Sequence, residues 1–205
     1  EDYQMLDFDV IDAEYSKALD RIIMVSSNPN RIHIYDPKTG IDIDKVQLYA
    51  TPTCVSVGPN GKGAAVGHDG YIAYIDLTRI DANGSYSMTA YPISINVFDI
   101  ILGSNNAFMY AFPRDGEWGE IHSLEISTGR YINHDGHDGL GRSIRGKTRA
   151  KLHTSGTKIY GSSNSDIEKY NIISGAAVYS YATPYGNRQL WDDLWLSDDD
   201  DDDDD

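Results

Sequence analysis

An all-β chain built from repeated four-stranded antiparallel units is the fold this sequence predicts, and three observations predict it. The stretch "HIYDPKTGIDI" (33–43) reads as strand, tight turn and strand: Ile34 and Tyr35 are strand formers, and Asp36, Pro37 and Gly40 are turn residues. It has cousins, because "RIHIYDPKTG" (31–40), "YIAYIDLTRIDANG" (71–84), "EIHSLEISTG" (120–129) and "DIEKYNIISG" (166–175) each run from a strand through an acidic or amide residue to a glycine. Those glycines, Gly40, Gly84, Gly129 and Gly175, are spaced 44, 45 and 46 residues apart. A second ladder of turn signals, aligned on Ser16, Asn60, Asn105 and Ser155, steps by 44, 45 and 50. Two independent markers with one period identify internal repeats.

The second copy spells out the unit. Its strands are "TCVSVG", "GAAVG", "YIAYID" and "SYSMTAY", joined by "PNGK", "HDG" and "RIDANG". Four short strands per unit of this length are the signature of a β-propeller blade. The stretch "DAEYSKALDR" comes nearest to a helical period, yet its place in the ladder makes it strand, turn and strand. Residues 1–197 are therefore read as propeller repeats, with blades at about 5–48, 49–93, 94–141 and 142–184 and the start of a fifth at 185–197. Closed rings hold about four to eight blades, so the array is a small ring or part of a larger, seven-bladed one. An open arc would leave strand edges unpaired. Residues 198–205 are all aspartate and form a self-repelling tail, disordered or an artefact at a boundary.

Composition narrows function. The chain has 205 residues, 40% hydrophobic, which suffices for a packed core. Tyrosine outnumbers phenylalanine 15 to 4, a bias suited to sheet faces and binding surfaces. A net charge of −15 without a basic stripe speaks against nucleic acid as a partner. The single cysteine, Cys54, excludes an internal disulfide and reads as a small core residue. No apolar run reaches membrane-spanning length. No signal peptide opens the chain, and the start "EDYQMLDFDV" suits a mature form or a fragment.

The stretches "NRIHIYDPKTG", "CVSVGPNGKGAAVGHDGYIAYIDLTR" and "LHTSGTKIYGSSNSDIEKYNIISG" resemble the YVTN-type propeller repeats of bacterial and archaeal secreted and surface-layer proteins. They are also similar to WD-type repeats in the turns "GPNGK" and "TSGTK", but the third strands end in "YD", "ID", "LE" and "YN" where WD repeats carry Trp-Asp. The likeness covers about residues 9–198. It implies the propeller fold and a secreted or cell-surface setting. It leaves function open among ligand binding, scaffolding, adhesion and a few enzymes.

The resemblance further implies that the loops from second to third strands, and from fourth to first, gather on one face. There the candidate ligand-binding residues are Arg31, His68, Asp69, Arg114, Asp115, Trp118, Arg145, Arg149, Asp166 and Arg188. Aromatic rings beside planar polar groups suit sugars and peptides. Alternation at Arg145, Lys147 and Arg149 places three cations on one strand face, suited to an anion. His134, Asp135, His137 and Asp138 in "INHDGHDG" are weak metal candidates, since their "HDG" units read equally as turns. Asp42 and Asp44 in "DIDID" are expected to share the solvent face of one strand. Asn83 heads an Asn-Gly-Ser glycosylation sequon. No catalytic motif stands out: there is no G-x-S-x-G, no G-x-G-x-x-G after a strand and no H-E-x-x-H. The expectation is a non-enzymatic extracytoplasmic binding module, without cofactor, for a glycan or protein partner. The alternatives are a structural surface protein forming a homo-oligomer or fibre, and a propeller lyase or glycosidase.

Overall fold

The computed structural model describes residues 5–80, 82, 84–133, 144–163 and 166–184. Strands β1 (Asp9–Ser16), β2 (Arg21–Ser27), β3 (Arg31–Asp36) and β4 (Ile41–Gln47) pair antiparallel in chain order. Next come β5 (Pro52–Val57), β6 (Gly63–Ile80), β7 (Tyr86–Leu102) and β8 (Phe108–Pro113). β9 (Trp118–Gly119) stands aside, and β10 (His122–Glu125) and β11 (Arg130–Asn133) complete a six-stranded sheet. β12 (Ile144–Arg145) pairs with β9, and β13 (Arg149–Leu152), β14 (Lys158–Ser162), β15 (Asp166–Ile173) and β16 (Ala176–Pro184) form another four-stranded sheet.

β6 and β7 are long because each serves two partners. β6 pairs with β5 up to His68 and with β7 from Asp69 onward, its register shifting between Asp69 and Tyr71. β7 pairs with β6 up to Asn96 and with β8 from Val97 onward. The six-stranded sheet is thus two successive four-stranded groups run together. Among the described residues this pairing scheme recurs four times.

Backbone geometry explains the glycine ladder. Gly40, Gly84, Gly129 and Gly175 have φ of 70°, 79°, 67° and 83°, the left-handed region that a side chain disfavours. The acidic residue before two of these turns acts locally, since Asp36 Oδ1 accepts the Lys38 amide and Asp76 Oδ1 the Thr78 amide, both at 2.9 Å. The second ladder needs one adjustment. Equivalent amides of Gly58, Gly103 and His153 donate to carbonyls five residues on, in Gly63, Phe108 and Lys158. Ser16, paired with Arg21, is their counterpart, so in the first repeat the marker matching Asn60 is Ala18, not Ser16. The Ser16 hydroxyl accepts the Leu19 amide at 3.3 Å and so opens the turn, which is why it mimics a turn residue.

Asp42 and Asp44 do not share a face. A bulge between Ile34 and Tyr35 puts Asp42 opposite Tyr35 and Asp44 opposite Ile34, which point to opposite sides. Asp42 turns to His33, and Asp44 accepts the Tyr86 hydroxyl from the next sheet at 2.8 Å.

The core lies between successive sheets. Ile23, Val25 and Ile32 of the first sheet pack on Val55, Val66 and Ile75 of the next. Ile72 and Cys54 meet Ile100, Leu102 and Met109. Tyr110 and Phe112 meet Ile159 and Tyr170. Each fully buried side chain of this size contributes about 1.5–3 kcal/mol. Cys54 is 0% exposed and unpaired, in keeping with a core role.

Inner strands β1, β5, the end of β7 and β13 are joined by side chains as well. Asp12 Oδ2 accepts the Val55 amide at 2.9 Å and Glu14 Oε2 the Val57 amide at 2.6 Å. Ser56 Oγ accepts the Leu102 amide at 3.1 Å, and Asp99 Oδ2 the Ala150 amide at 2.8 Å. Counted back from Ser16, Gly58, Gly103 and His153, Asp12 and Asp99 hold one position of the repeat and Glu14 and Ser56 another. A register shift lies just before the first of these positions in three strands, at Val10/Asp12, Pro52/Cys54 and Val97/Asp99.

Two glycines separate backbone strain from packing. Gly84 has open space around a would-be Cβ, whereas a Cβ at Gly175 would run into the Phe108 ring of the preceding repeat. Gly84→Ala is expected to cost about 1 kcal/mol, from the positive φ alone. Gly175→Ala is expected to cost at least about 2 kcal/mol more. Urea unfolding of the two variants checks this, and equal losses would contradict the packing at Gly175.

Candidate functional site

The loops between second and third strands do meet those between fourth and first. Arg114 donates to Asp69 Oδ2 at 2.8 Å, tying the bend of β6 to the loop after β8. Its Nε lies 3.7 Å from Asp115 Oδ1, and Asn96 donates to Asp115 Oδ2 at 2.5 Å. The Arg114 amide also donates to the Asn96 carbonyl, at 2.8 Å. Asp69, Asn96, Arg114 and Asp115 are thus one network across two repeats.

A second cluster adjoins it. β9 and β12 pair through Ile144 with Gly119 and Arg145 with Trp118. Gly146 and Lys147 amides donate to the Glu117 and Pro113 carbonyls at 3.1 and 2.9 Å. A side chain on Gly146 would strike the Gly116 carbonyl, so glycine permits this approach. The pairing holds the Arg145 guanidinium 4.4 Å from the Trp118 ring centroid, with Glu117 Oε1 3.5 Å from Arg145 Nη1. Trp118 remains 49% exposed. A flat aromatic surface with a guanidinium on one side and a carboxylate beside it can stack a ring and hydrogen-bond its rim.

Other sequence candidates lie elsewhere. His68 is buried, stacked on Tyr71 at 4.2 Å with Nδ1 3.0 Å from the Thr51 carbonyl, and burial holds its pKa below the usual imidazole value. Arg31 reaches Gln47 Oε1 at 3.5 Å within the first sheet. Asp166 opens β15, opposite Pro184; its side chain, Arg188, the group His134, Asp135, His137 and Asp138, and Asn83 lie outside the described residues. No cluster with metal-ligand composition occurs among the described residues. The three expected cations do not share one strand: Arg145 is in β12, Lys147 sits in a turn at φ 64°, and Arg149 starts β13. The insertion of this turn breaks the alternation, and Lys151 takes the place beside Arg149.

The inner strands supply a site that the loop reading overlooked. A cavity of about 870 Å³ opens there, lined by Asp12, Glu14, Phe98, Asp99, Arg149 and Lys151 among others. The size is typical of a ligand pocket. Arg149 stacks 4.3 Å from the Phe98 centroid, with Nη1 3.9 Å from Asp99 Oδ1. Burial pushes the Asp99 pKa up to about 6, against the lowering effect of the Ala150 amide and Arg149. Burial likewise raises Glu14. Acidic residues in first strands were visible in the sequence, but no motif marked them.

A Ser-His-Asp arrangement also appears. His33 Nε2 is 2.9 Å from Ser26 Oγ and Nδ1 is 2.6 Å from Asp42 Oδ2. Ser26 donates to the Pro29 carbonyl at 2.7 Å, Phe8 stacks on His33 at 3.6 Å, and Ser26 and His33 are 0% and 1% exposed. A nucleophile needs access to its substrate and a free proton path to its base. This one has neither, so the trio acts as a buried polar tie between β2, β3 and β4.

No family model matches the sequence, and no curated protein matches it. Solved structures do. Hydrazine synthase from Kuenenia stuttgartiensis is similar with TM-score 0.65 at 12% identity, over 89% of this chain and 51% of that one. A functionally unknown protein from Desulfotomaculum acetoxidans gives TM-score 0.67 at 14% identity, over 89% and 58%. The Cps50 (Swd1) β-propeller domain of Myceliophteria thermophila gives 0.65 at 11%, over 85% and 58%. The fold is that of a β-propeller. The chain spans little more than half the length of each of these structures. Among the described residues no helix is long and apolar enough to cross a membrane.

Asp99 yields a pH prediction. Its folded pKa lies above the unfolded value, so the native state binds the extra proton and stability from this group falls as pH rises from about 4 to about 6. Asp99→Asn loses one of two amide bonds, to Ile100 or Ala150, at a cost of about 1 kcal/mol. Above pH 6 the variant is relieved of the buried charge. Its disadvantage is therefore expected to shrink or reverse by about 2 kcal/mol between pH 4 and 7. Urea unfolding across that range measures it, and a constant gap would contradict the burial of Asp99.

Proposed function

We propose that the protein is a non-enzymatic, extracytoplasmic β-propeller module that binds a glycan, peptide or protein partner on its loop face. The observation that carries this reading is the Trp118 ring, exposed and held by Arg145 at 4.4 Å. Exposing so large an apolar surface costs solvation free energy, and pairing β9 with β12 to fix it is hard to justify for folding alone. The Asp69–Arg114–Asp115–Asn96 network supports the platform as a rigid base. The array is read as four blades, at about 5–48, 49–93, 94–141 and 142–184, and the start of a fifth belonging to a larger ring. The β-propeller fold accommodates interaction modules, and the sequence carries no G-x-S-x-G or H-E-x-x-H motif.

Thermal shift against a panel of glycans, cell-wall fragments and peptides tests the reading. One class is expected to raise Tm in the wild type. Trp118→Ala is expected to weaken that ligand at least tenfold while leaving unliganded Tm nearly unchanged, since half the ring already faces solvent. A flat response across the panel would remove the small-ligand form of the proposal.

A further inference from the structure

Around the Trp118 platform each charge has its opposite beside it. Arg145 Nη1 stands 3.5 Å from Glu117 Oε1, and Arg114 lies 2.8 Å from Asp69 and 3.7 Å from Asp115. An anionic ligand would meet three carboxylates and two arginines that are already paired, so the rim holds no unanswered positive charge for it. A cationic ligand meets carboxylates that already have their arginines. The Trp118 ring also holds the Arg145 guanidinium 4.4 Å from its centroid, and a second cation on the opposite face would be repelled through the ring.

The hydrogen-bonding capacity of the same groups remains uncommitted. No hydrogen bond joins Arg145 to Glu117 at their separation, and among the described residues the Arg145 side chain has no acceptor. The Trp118 indole N–H likewise has no acceptor among the described residues. Glu117 is 72% exposed, and half of Trp118 is exposed although Arg145 lies over one of its faces. Side by side, the platform presents a guanidinium edge and an indole N–H that donate, a carboxylate that accepts, and an open aromatic surface.

We infer that this platform binds a neutral pyranose ring, an assignment that rests on the loop-face role of Trp118 and narrows its ligand to one chemical class. The sugar lays a C–H face on the indole, and neighbouring hydroxyls meet Arg145 and Glu117. A hydroxyl both donates and accepts, so two adjacent hydroxyls satisfy a donor and an acceptor held 3.5 Å apart without bringing a charge. Bonds of this kind, with one partner ionised, are the stronger class. A main-chain amide points its donor and acceptor in opposite directions and serves only one of the two groups. The C–H groups of a pyranose carry slight positive charge, which suits the negative face of the indole without the repulsion a full cation would meet. The β9–β12 pairing and the close approach at Gly146 fix the platform before a ligand arrives, so little ordering opposes binding.

Isothermal titration calorimetry on the full chain tests this. Cellotetraose, mannotetraose and N-acetylated chitotetraose are the neutral probes, tetragalacturonate is the anionic probe and a glucosamine tetramer the cationic one. At least one neutral probe is expected to bind saturably with little dependence on salt, and both charged probes about fivefold more weakly or not at all. Arg145→Lys keeps the charge but loses the planar fork, and is expected to weaken the neutral probe about fivefold. Glu117→Gln keeps an acceptor but leaves Arg145 unanswered. It is expected to weaken the neutral probe less than about threefold, and to strengthen tetragalacturonate by about threefold or more at low salt. The proposal is overturned if no neutral probe binds, if either charged probe binds the wild type as tightly as the best neutral one, or if Glu117→Gln leaves tetragalacturonate unchanged. Should no neutral probe bind while a peptide raises Tm in a Trp118-dependent way, the sugar assignment falls and the loop-face reading stands. Neutral-sugar binding that survives Trp118→Ala undiminished would remove both.

Discussion

Among the described residues each four-stranded group begins with a strand segment that has a neighbour on only one side, and the fold depends on what is done with the amides left over. An unpaired inner edge invites foreign strands and leaves polar groups partly dehydrated. Here a side chain on one inner strand reaches the amide of the next, from Asp12, Glu14, Ser56 or Asp99. Hydrogen bonds to charged acceptors contribute about 1.5–3 kcal/mol each, which offsets part of the cost of burying the carboxylates. The same contacts set the angle and spacing at which one sheet's Ile23 and Ile32 meet the next sheet's Val55 and Ile75. Without the joint, the apolar faces would have no fixed register.

Loops inherit that register. Arg114 can reach Asp69, and Arg145 can lie on Trp118, because the sheets beneath them are already set face to face. The outer turns contribute in the same sense: the Tyr86 hydroxyl bonds Asp44, the Tyr91 hydroxyl bonds the Ile126 carbonyl, and Gly175 admits Phe108. Tyr86 and Tyr91 each supply both an apolar body for the gap between sheets and a donor for the edge across it, which phenylalanine lacks.

Much of this was legible in the sequence because it is local. A left-handed turn demands glycine, so the four ladder glycines announce the repeat and its period. Alternation announces strands, and the resemblance to propeller repeats implies one face for the loops carrying Asp69, Arg114, Asp115, Trp118 and Arg145. What escaped was set by bulges. One extra residue opposite Tyr35 sends Asp42 and Asp44 to opposite faces, and a turn at Lys147 separates Arg145 from Arg149. Alternation arguments fail by one residue at such points. The amide acceptors escaped for another reason: a carboxylate that bonds a backbone group 43 residues away leaves no pattern of residue types.

The joints also have a direction. The acceptor always belongs to the earlier sheet and the amide to the later one, so the contact is head-to-tail and its two halves differ. Head-to-tail contacts that fail to close into rings grow into filaments. A second copy approaching β13 by the same geometry would find Arg149 and Lys151 where it needs an oxygen. At β13 those acceptor positions hold Arg149 and Lys151, which only donate, so whatever the chain places after this strand is joined by a different chemistry from the four joints before it.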